Sequence, residues 1–194
     1  SWSITGDKSE RKNIEYAFNV FPDIGAISKM IKAKGLSALK DVSIQPGIPI
    51  RPAKSERLPT PEKIVAKLEE FAVEPKMDGF RAQVHVWEEK GEKRVAIFSR
   101  NLNDTSHMFP EIVESAKRLP IKSAVFDSEA IAYNPETDEF LPFQETVKRR
   151  RKHGIEKMSQ EIPLKAFIFD LLYLNGKPLL DESFKDRFGA LEGI

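Results

Sequence analysis

Prolines crowd one stretch of this chain and restrict its fold more than any other feature. Five of the 13 prolines fall within residues 45–61 of 194: Pro46, Pro49, Pro52, Pro59 and Pro61. Proline fixes its own φ, lacks a backbone N–H donor and disfavours the helical conformation of the residue before it. The stretch can therefore form neither a continuous helix nor a central strand. We predict a domain boundary here, with an extended connector over residues 46–60.

Before the connector, residues 1–45 have the periodicity of short helices. Ile14, Ala17 and Phe18 recur at helical spacing, and Pro22 is expected to end this helix. A second apolar stripe over residues 24–31 predicts another helix, and a short one follows near residues 36–40. Because two or three short helices rarely form a stable domain alone, we interpret this segment as the C-terminal part of a larger helical domain.

After the connector, helical and strand patterns mix. Thr60 and Pro61 predict the start of a helix. The apolar residues that we expect it to bury are Ile64, Val65, Leu68 and Phe71. Alternation of apolar and polar residues then predicts strands near residues 80–87, 95–100, 124–133 and 165–174, with helices near 108–118 and 145–152 and a last helix capped by Ser183. These elements follow no regular βαβ rhythm, so we predict an α+β fold with antiparallel pairing.

The composition excludes several classes of protein. The chain has no cysteine, which excludes a disulfide scaffold, a cysteine metal site and a thiol nucleophile. Its three histidines leave little room for a histidine-rich metal centre. No apolar run approaches the roughly 18 residues of a membrane-spanning helix. Hydrophobic residues make up 40% of the chain, which suffices for a packed core.

The sharpest local signal is the run from Glu74 to Arg81, Glu-Pro-Lys-Met-Asp-Gly-Phe-Arg. Its Asp-Gly step is common in ordinary hairpin turns. A functional interpretation needs Lys76 as a nucleophile, and burial or neighbouring cations make a lysine nucleophilic by favouring its neutral form. Gly79 would let a ligand approach the backbone, and Arg81 would contact ribose or phosphate. On these residues alone, both interpretations stand.

The run Lys76-Met77-Asp78-Gly79-Phe80-Arg81 resembles the K-x-D-G-x-R signature of covalent nucleotidyltransferases, which are the DNA ligases, RNA ligases and mRNA capping enzymes. The surrounding sequence is similar to ATP-dependent DNA ligases, especially the archaeal type, over nearly the whole chain. The resemblance implies that residues 1–45 are the last helices of a DNA-binding domain. Residues 61–194 would be an antiparallel-sheet nucleotidyltransferase domain (ligase adenylation, ATP-grasp-like), incomplete at its C-terminus.

The resemblance also implies roles for single residues. Lys76 would be the catalytic residue that carries AMP. The nucleotide-binding residues would be Glu74, Lys76, Arg81, Arg100, Glu129 and Phe169. Among them, Phe169 would stack on adenine, and Glu129 would bind ribose and support the divalent metal. The implied cofactors are ATP, as AMP donor, and Mg²⁺. Without the resemblance, Arg100 and Glu129 are ordinary charged residues and Phe169 belongs to a core strand.

Two further features point to DNA. Pro142-Phe143-Gln144 matches a ligase segment whose Phe wedges into the minor groove near the nick. A basic block follows, and its DNA-binding candidates are Lys148, Arg149, Arg150 and Arg151. Lys and Arg bind phosphates without reading sequence, which suits an enzyme that must seal any nick. Taken alone, Phe143 is more often a core residue and the basic block a solvated helix face.

The function that the resemblance implies is that of an ATP-dependent DNA ligase. It would act on nicked double-stranded DNA in replication, recombination and repair, as a cytoplasmic, nucleoid-associated monomer with no membrane partner. The family's later Glu and Lys-x-Lys motifs and its OB domain fall outside these residues, so we expect a fragment. A sliding clamp would be contacted through the missing regions.

Two alternatives remain. One is an RNA ligase or capping-type enzyme, against which the helical leader and the Phe143 segment argue. The other is an inactive fragment that only binds nucleic acid.

Overall fold

The computed structural model describes residues 3, 6, 8–149 and 154–194. The helices in this part of the chain are α1 (Arg11–Val20), α2 (Ile24–Lys34), α3 (Pro61–Lys67), α4 (Pro110–Lys117), α5 (Phe143–Val147), α6 (Ile155–Glu161) and α7 (Phe184–Glu192). The strands are β1 (Phe80–Glu89), β2 (Glu92–Phe98), β3 (Ala124–Ala132), β4 (Leu164–Leu174) and β5 (Lys177–Pro178). Short 3-10 helices cover Leu36–Asp41 and Ser106–Met108.

All five strands join in one antiparallel sheet with the order β2-β1-β3-β4-β5. The predicted α+β class is therefore confirmed. The turns at Lys90-Gly91 and Asn175-Gly176 have positive φ at both residues, which matches the right-handed twist of the strands that they connect.

The predicted helices before the connector are present, and local chemistry sets their ends. The Asp23 side chain accepts a hydrogen bond from the Ala26 backbone N–H at 2.8 Å and so caps α2. Gly35, with φ of 78°, ends the same helix. The apolar stripes of α1 and α2 pack on each other, and a second cluster joins Val20 of α1 to Val125 and Leu172 of the sheet. The helical segment therefore packs against the sheet.

The two faces of the sheet differ in polarity because side chains alternate along each strand. One face carries Ala82, Val84 and Val86 of β1 and Phe126 of β3 into the main core, which α4 covers. On the other face lie Arg81, Gln83 and His85 of β1, opposite Glu129, Asp127 and Val125 of β3. We call this second surface the polar face.

The connector packs on the polar face through backbone hydrogen bonds to two buried side chains. The amide of Gln83 accepts from the Ile50 N–H at 2.7 Å and donates to the Ile50 carbonyl at 3.2 Å. His85 Nδ1 accepts from the Gly47 N–H at 3.1 Å, so the ring proton lies on Nε2, which donates to Gln83 Oε1 at 3.0 Å. Residues 42–60 contain no helix or strand, as the prolines predict.

His85 is expected to make the protein acid-sensitive. Burial lowers its pKa to about 3, whereas an unfolded histidine titrates near about 6.5. Between these values the unfolded chain binds more protons, so the free energy of unfolding falls as the pH decreases, by up to about 1.4 kcal/mol per pH unit from this residue. Above about pH 6.5 the ring is neutral in both the folded and the unfolded state, so His85 no longer makes the free energy of unfolding depend on pH. Urea denaturation of His85→Gln should give a flatter pH profile across this window.

The matched control for His85 is His107, which is exposed. His107→Gln should keep the pH profile of the parent chain. An unchanged profile in His85→Gln would contradict the assignment of acid sensitivity to the buried ring.

The expected burial of the α3 face is wrong. Val65 is 59% exposed, Leu68 45% and Phe71 43%, and Ile64 is only partly covered. Ile64 and Val65 lie on α3, but this helix ends at Lys67, so Leu68 and Phe71 lie beyond it and the four residues do not share one helical face. The helix beginning at Pro61 is confirmed, although the Thr60 side chain makes no capping hydrogen bond.

The predicted helix over 145–152 is replaced by a shorter helix, α5, which ends at Val147. Residues 150–153 lie outside the described part of the chain. The sequence did not predict α6, which starts after Gly154. Within the described residues, no helix has the length and apolarity needed to cross a bilayer.

Candidate functional site

The signature turn is fixed to the sheet at Gly79. Its backbone N–H donates to Glu129 Oε1 at 3.1 Å, which ties the turn to β3. A Cβ at position 79 would lie 2.4 Å from the Ala130 carbonyl oxygen and 2.8 Å from Ile131 Cγ1. Only glycine fits this approach, so the residue sets the distance between the segment that carries Lys76 and the end of the polar face.

Replacing Gly79 with Ala should destabilise the protein by about 1–3 kcal/mol, the usual cost of overpacking. The clash involves backbone as well as side-chain atoms, so the turn must move away from β3. Urea denaturation gives the free energy of unfolding. The matched control is Gly189→Ala in α7, where the added Cβ meets no atom within 4 Å and should stabilise the helix slightly. Equal effects of the two substitutions would contradict the packing role of Gly79.

Arg81 lies on the polar face in a two-point ion pair with Asp127. Its Nε donates to Asp127 Oδ1 at 3.0 Å, and Nη2 donates to Oδ2. Burial raises the pKa of Asp127, and the Arg81 guanidinium opposes this effect. The pair holds Arg81 in one orientation with 21% of its side chain exposed, so its guanidinium still reaches solvent.

Glu129 lies next to this pair, since its register partner on β1 is Arg81. Partial burial raises the pKa of Glu129, while the Gly79 N–H and the positive charges of Lys76 and Arg81 act in the opposite direction. Its Oε1 is engaged by Gly79, and Oε2 has no hydrogen-bond partner among the described residues. This carboxylate therefore has one oxygen available to a ligand.

The donor set fits Mg²⁺ held largely by a substrate. Among the described residues, no three His, Asp or Glu side chains form a metal-binding group. Mg²⁺ is usually bound by one or two carboxylates together with phosphates and water. Glu129 can supply such a carboxylate through Oε2. Asp127 cannot without giving up Arg81.

Phe169 occupies an irregular position in β4. Asp127 pairs with Asp170 and Ser128 with Ile168, so Phe169 is an extra residue in β4 between two register pairs. Bulges of this kind redirect side chains and are common beside functional sites. The ring is half-buried, which leaves part of it accessible.

The structure brings three of the predicted nucleotide-binding residues, Lys76, Arg81 and Glu129, to one end of the polar face, where the charges of Lys76 and Arg81 act on the Glu129 carboxylate. Arg100 lies in a turn directly after β2, in which the Ser99 N–H donates to the Asn103 carbonyl at 2.9 Å. Glu74 and Lys76 belong to an exposed segment without helix or strand that leads into β1. Among the described residues, the hydrogen bonding of the Lys76 ammonium is limited to one long contact with the Met77 carbonyl, at 3.5 Å. Lys76 is therefore open to a ligand from solvent.

The predicted DNA-binding residues lie around α5 and not on the polar face. The half-buried ring of Phe143 meets the Phe80 ring edge-on, with 6.0 Å between centroids. Lys148 is exposed, and its ammonium contacts both carboxylate oxygens of Glu145. Arg150 and Arg151 lie outside the described residues.

The prediction that Arg149 binds DNA has to be corrected, because its side chain is buried and cannot reach a phosphate. It forms a two-point ion pair with Glu111, at 2.6 and 3.1 Å, and donates to the carbonyls of Ile162 and Met108. Glu111 in turn accepts from the Leu164 N–H at 3.1 Å. Arg149 therefore joins three segments of the interior.

Three charged residues of the polar face were missed as candidates: Asp127, Asp170 and Arg187. Asp127 had a visible signal, since it lies two residues before Glu129 in the same strand and so shares its face. Asp170 pairs with Arg187 of α7 at 2.7 and 3.0 Å. That contact could not be read from the sequence because it depends on the register shift at Phe169 and on the packing of α7.

Comparisons with known proteins agree with these motifs. A family model described as an ATP dependent DNA ligase domain matches residues 52–194. The chain is 46% identical over 193 residues to a probable DNA ligase of Dictyoglomus turgidum, covering 99% of this chain and 32% of that protein. It is 40% identical over 193 residues to DNA ligase 2 of Thermofilum pendens, covering 99% and 31%.

A solved structure of mycobacterial DNA ligase D complexed with ATP and MES is 28% identical to the chain. Its TM-score is 0.49, and the match covers 62% of this chain and 35% of that one. The chain spans about a third of the length of the curated relatives that it matches.

Proposed function

The chain belongs to the ATP-dependent DNA ligase family, and we propose that it carries the lysine nucleophile and much of the nucleotide site of a nick-sealing enzyme. The observation that carries this proposal is the Gly79–Glu129 contact. It fixes the turn that follows Lys76 beside two groups. One is the Arg81 guanidinium, which is ion-paired with Asp127, and the other is the Glu129 carboxylate, which has one available oxygen. A phosphoryl-transfer site needs this combination, because positioning and charge supply most of its catalysis.

The first step is proposed to be the transfer of AMP from ATP to Lys76. The neutral amine at Nζ forms a bond to the α-phosphorus, the bond from that phosphorus to the bridging oxygen breaks, and pyrophosphate leaves. The proton lost by the amine passes to water. Arg81 and Arg100 would stabilise negative charge on the phosphates and hold the ribose.

Adenine and metal binding complete the proposed site. Phe169, at the bulge in β4, would stack on adenine, and Glu74 would line the base pocket. Glu129 would bind ribose and offer Oε2 to Mg²⁺, which neutralises phosphate charge when it is bound.

The later steps act on DNA. AMP would pass from Lys76 to the 5′-phosphate of a nick, and the 3′-hydroxyl would then displace AMP and close the backbone. Phe143 would contact the minor groove and Lys148 the phosphates. We do not assign Arg149 to DNA because it is buried. Arg150 and Arg151 remain candidates for phosphate contacts. We place this activity in replication, recombination and repair, inside the cell.

Labelling tests the proposal directly. The chain is incubated with Mg²⁺ and ATP labelled at the α-phosphate, denatured, and digested to locate the label. We expect an acid-labile adduct on Lys76. A parallel reaction with labelled GTP should give none, since preference for GTP would favour a capping enzyme. Absence of any adduct would overturn the proposal and leave a nucleic-acid-binding module.

A further inference from the structure

Two ion pairs lie side by side on the polar face, and only one of them includes a signature residue. Arg81 holds Asp127 of β3, whereas Arg187 of α7 holds Asp170 of β4. Asp127 and Asp170 are register partners on adjacent strands. Across the sheet the order is therefore arginine, carboxylate, carboxylate, arginine.

The two carboxylates are neighbours in a poorly solvated place. Their side chains are 11% and 20% exposed, so water screens their repulsion only weakly. Each is neutralised by a guanidinium that contacts both of its oxygens. Arg187 is itself fixed, because Nη1 donates to the Glu182 carbonyl at 2.7 Å.

We propose that Arg187 is a positioning residue for Arg81. By neutralising Asp170, it leaves Asp127 committed to Arg81 and so holds the Arg81 guanidinium in place at the end of the polar face. The value of this placement for nucleotide binding rests on the proposed function, whereas the coupling of the two ion pairs does not.

Loss of Arg187 would leave the Asp170 carboxylate without its counterion. Asp170 would then compete with Asp127 for the Arg81 guanidinium, since the two carboxylates are register partners on adjacent strands. The Arg81–Asp127 pair would open more often, and the Arg81 guanidinium would lose its fixed orientation at the end of the polar face.

The test measures by NMR how fast the Nε–Hε proton of Arg81 exchanges with water at one fixed pH near neutrality. This proton is donated to Asp127, so its exchange reports opening of the pair directly. In Arg187→Met, we expect exchange about tenfold faster than in the parent chain. Adding Asp170→Asn to Arg187→Met removes the unpaired charge and should restore the parent rate. An unchanged rate in the single variant, or no restoration in the double variant, would overturn the proposal.

Arg187→Lys separates charge from packing. It retains the positive charge, so the exchange rate of the Arg81 Nε–Hε proton should stay closer to that of the parent than to that of Arg187→Met. An increase as large as in Arg187→Met would mean that packing of α7 governs Arg81, which would overturn the electrostatic proposal.

Labelling with ATP adds a functional measurement. Arg187→Met should need several-fold more ATP for half-maximal adduct formation, and the Asp170→Asn addition should reverse this change. A parent chain that forms no adduct would overturn the proposed function, while the exchange measurement would still decide the coupling of the two pairs.

Discussion

Lys76→Ala is expected to remove the labelled adduct from the protein, with a loss of at least about a thousandfold, as for other catalytic nucleophiles. Alanine offers no atom that can attack the α-phosphorus, and no other lysine belongs to the signature turn. Lys76 is exposed and makes a single long hydrogen bond within the part of the chain that the structure describes, so the free energy of unfolding should change by less than about 0.5 kcal/mol. Covalent label per mole of protein is measured after denaturation.

Two companion variants make this result interpretable. Lys63→Ala removes an exposed lysine of α3 and should label like the parent chain. Lys76→Arg retains the positive charge but not a nucleophilic amine, since arginine stays protonated, and should label no better than Lys76→Ala. Label that persists in Lys76→Ala would assign the nucleophile to another residue and contradict the proposed mechanism.

Features set by neighbours in the sequence were predictable. The Asp23 cap, the end of α2 at Gly35 and the Asn175-Gly176 turn follow from the chemistry of single residues and their immediate neighbours. Strand alternation fixes which residues share a face, so the pairing of Arg81 with Glu129 on one face also follows from the sequence once β1 and β3 are neighbours.

Features set by tertiary packing were not. The stripe on α3 has the spacing of a buried face, yet periodicity cannot tell what covers a helix, and Val65 is 59% exposed. Arg149 belongs to a run of five basic residues that reads as a surface block. Its burial depends on Glu111 lying beside it, 38 positions away in the sequence.

The candidate site also combines features that the sequence predicts with features that depend on tertiary packing. Its residues were identified by their resemblance to known motifs, whereas their arrangement required the register. The shift at Phe169 aligns Asp170 with Asp127, and it is this alignment that places Arg187 within reach of the signature arginine through two carboxylates. A residue outside every motif is thereby coupled to the site.

Arg149→Met should be the most destabilising of the substitutions proposed for the fold, at about 3–5 kcal/mol, because it leaves part of a buried ion pair uncompensated. Methionine approximates the length of the arginine stem but replaces none of its hydrogen bonds. The Glu111 carboxylate would retain the Leu164 N–H but lose both contacts to the guanidinium, and the carbonyls of Met108 and Ile162 would lose their donor. Urea denaturation gives the free energy of unfolding.

The adjacent residue is the control for this prediction. Lys148→Met removes a positive charge from the same basic block, but the Lys148 side chain is 51% exposed and its ion pair with Glu145 is worth little. We expect a change below about 0.5 kcal/mol, together with weaker binding of duplex DNA and a shallower dependence of that binding on salt. If Arg149 were instead a DNA contact, Arg149→Met would reproduce this behaviour, with stability retained and DNA affinity reduced. That outcome would contradict the interior position assigned to the guanidinium.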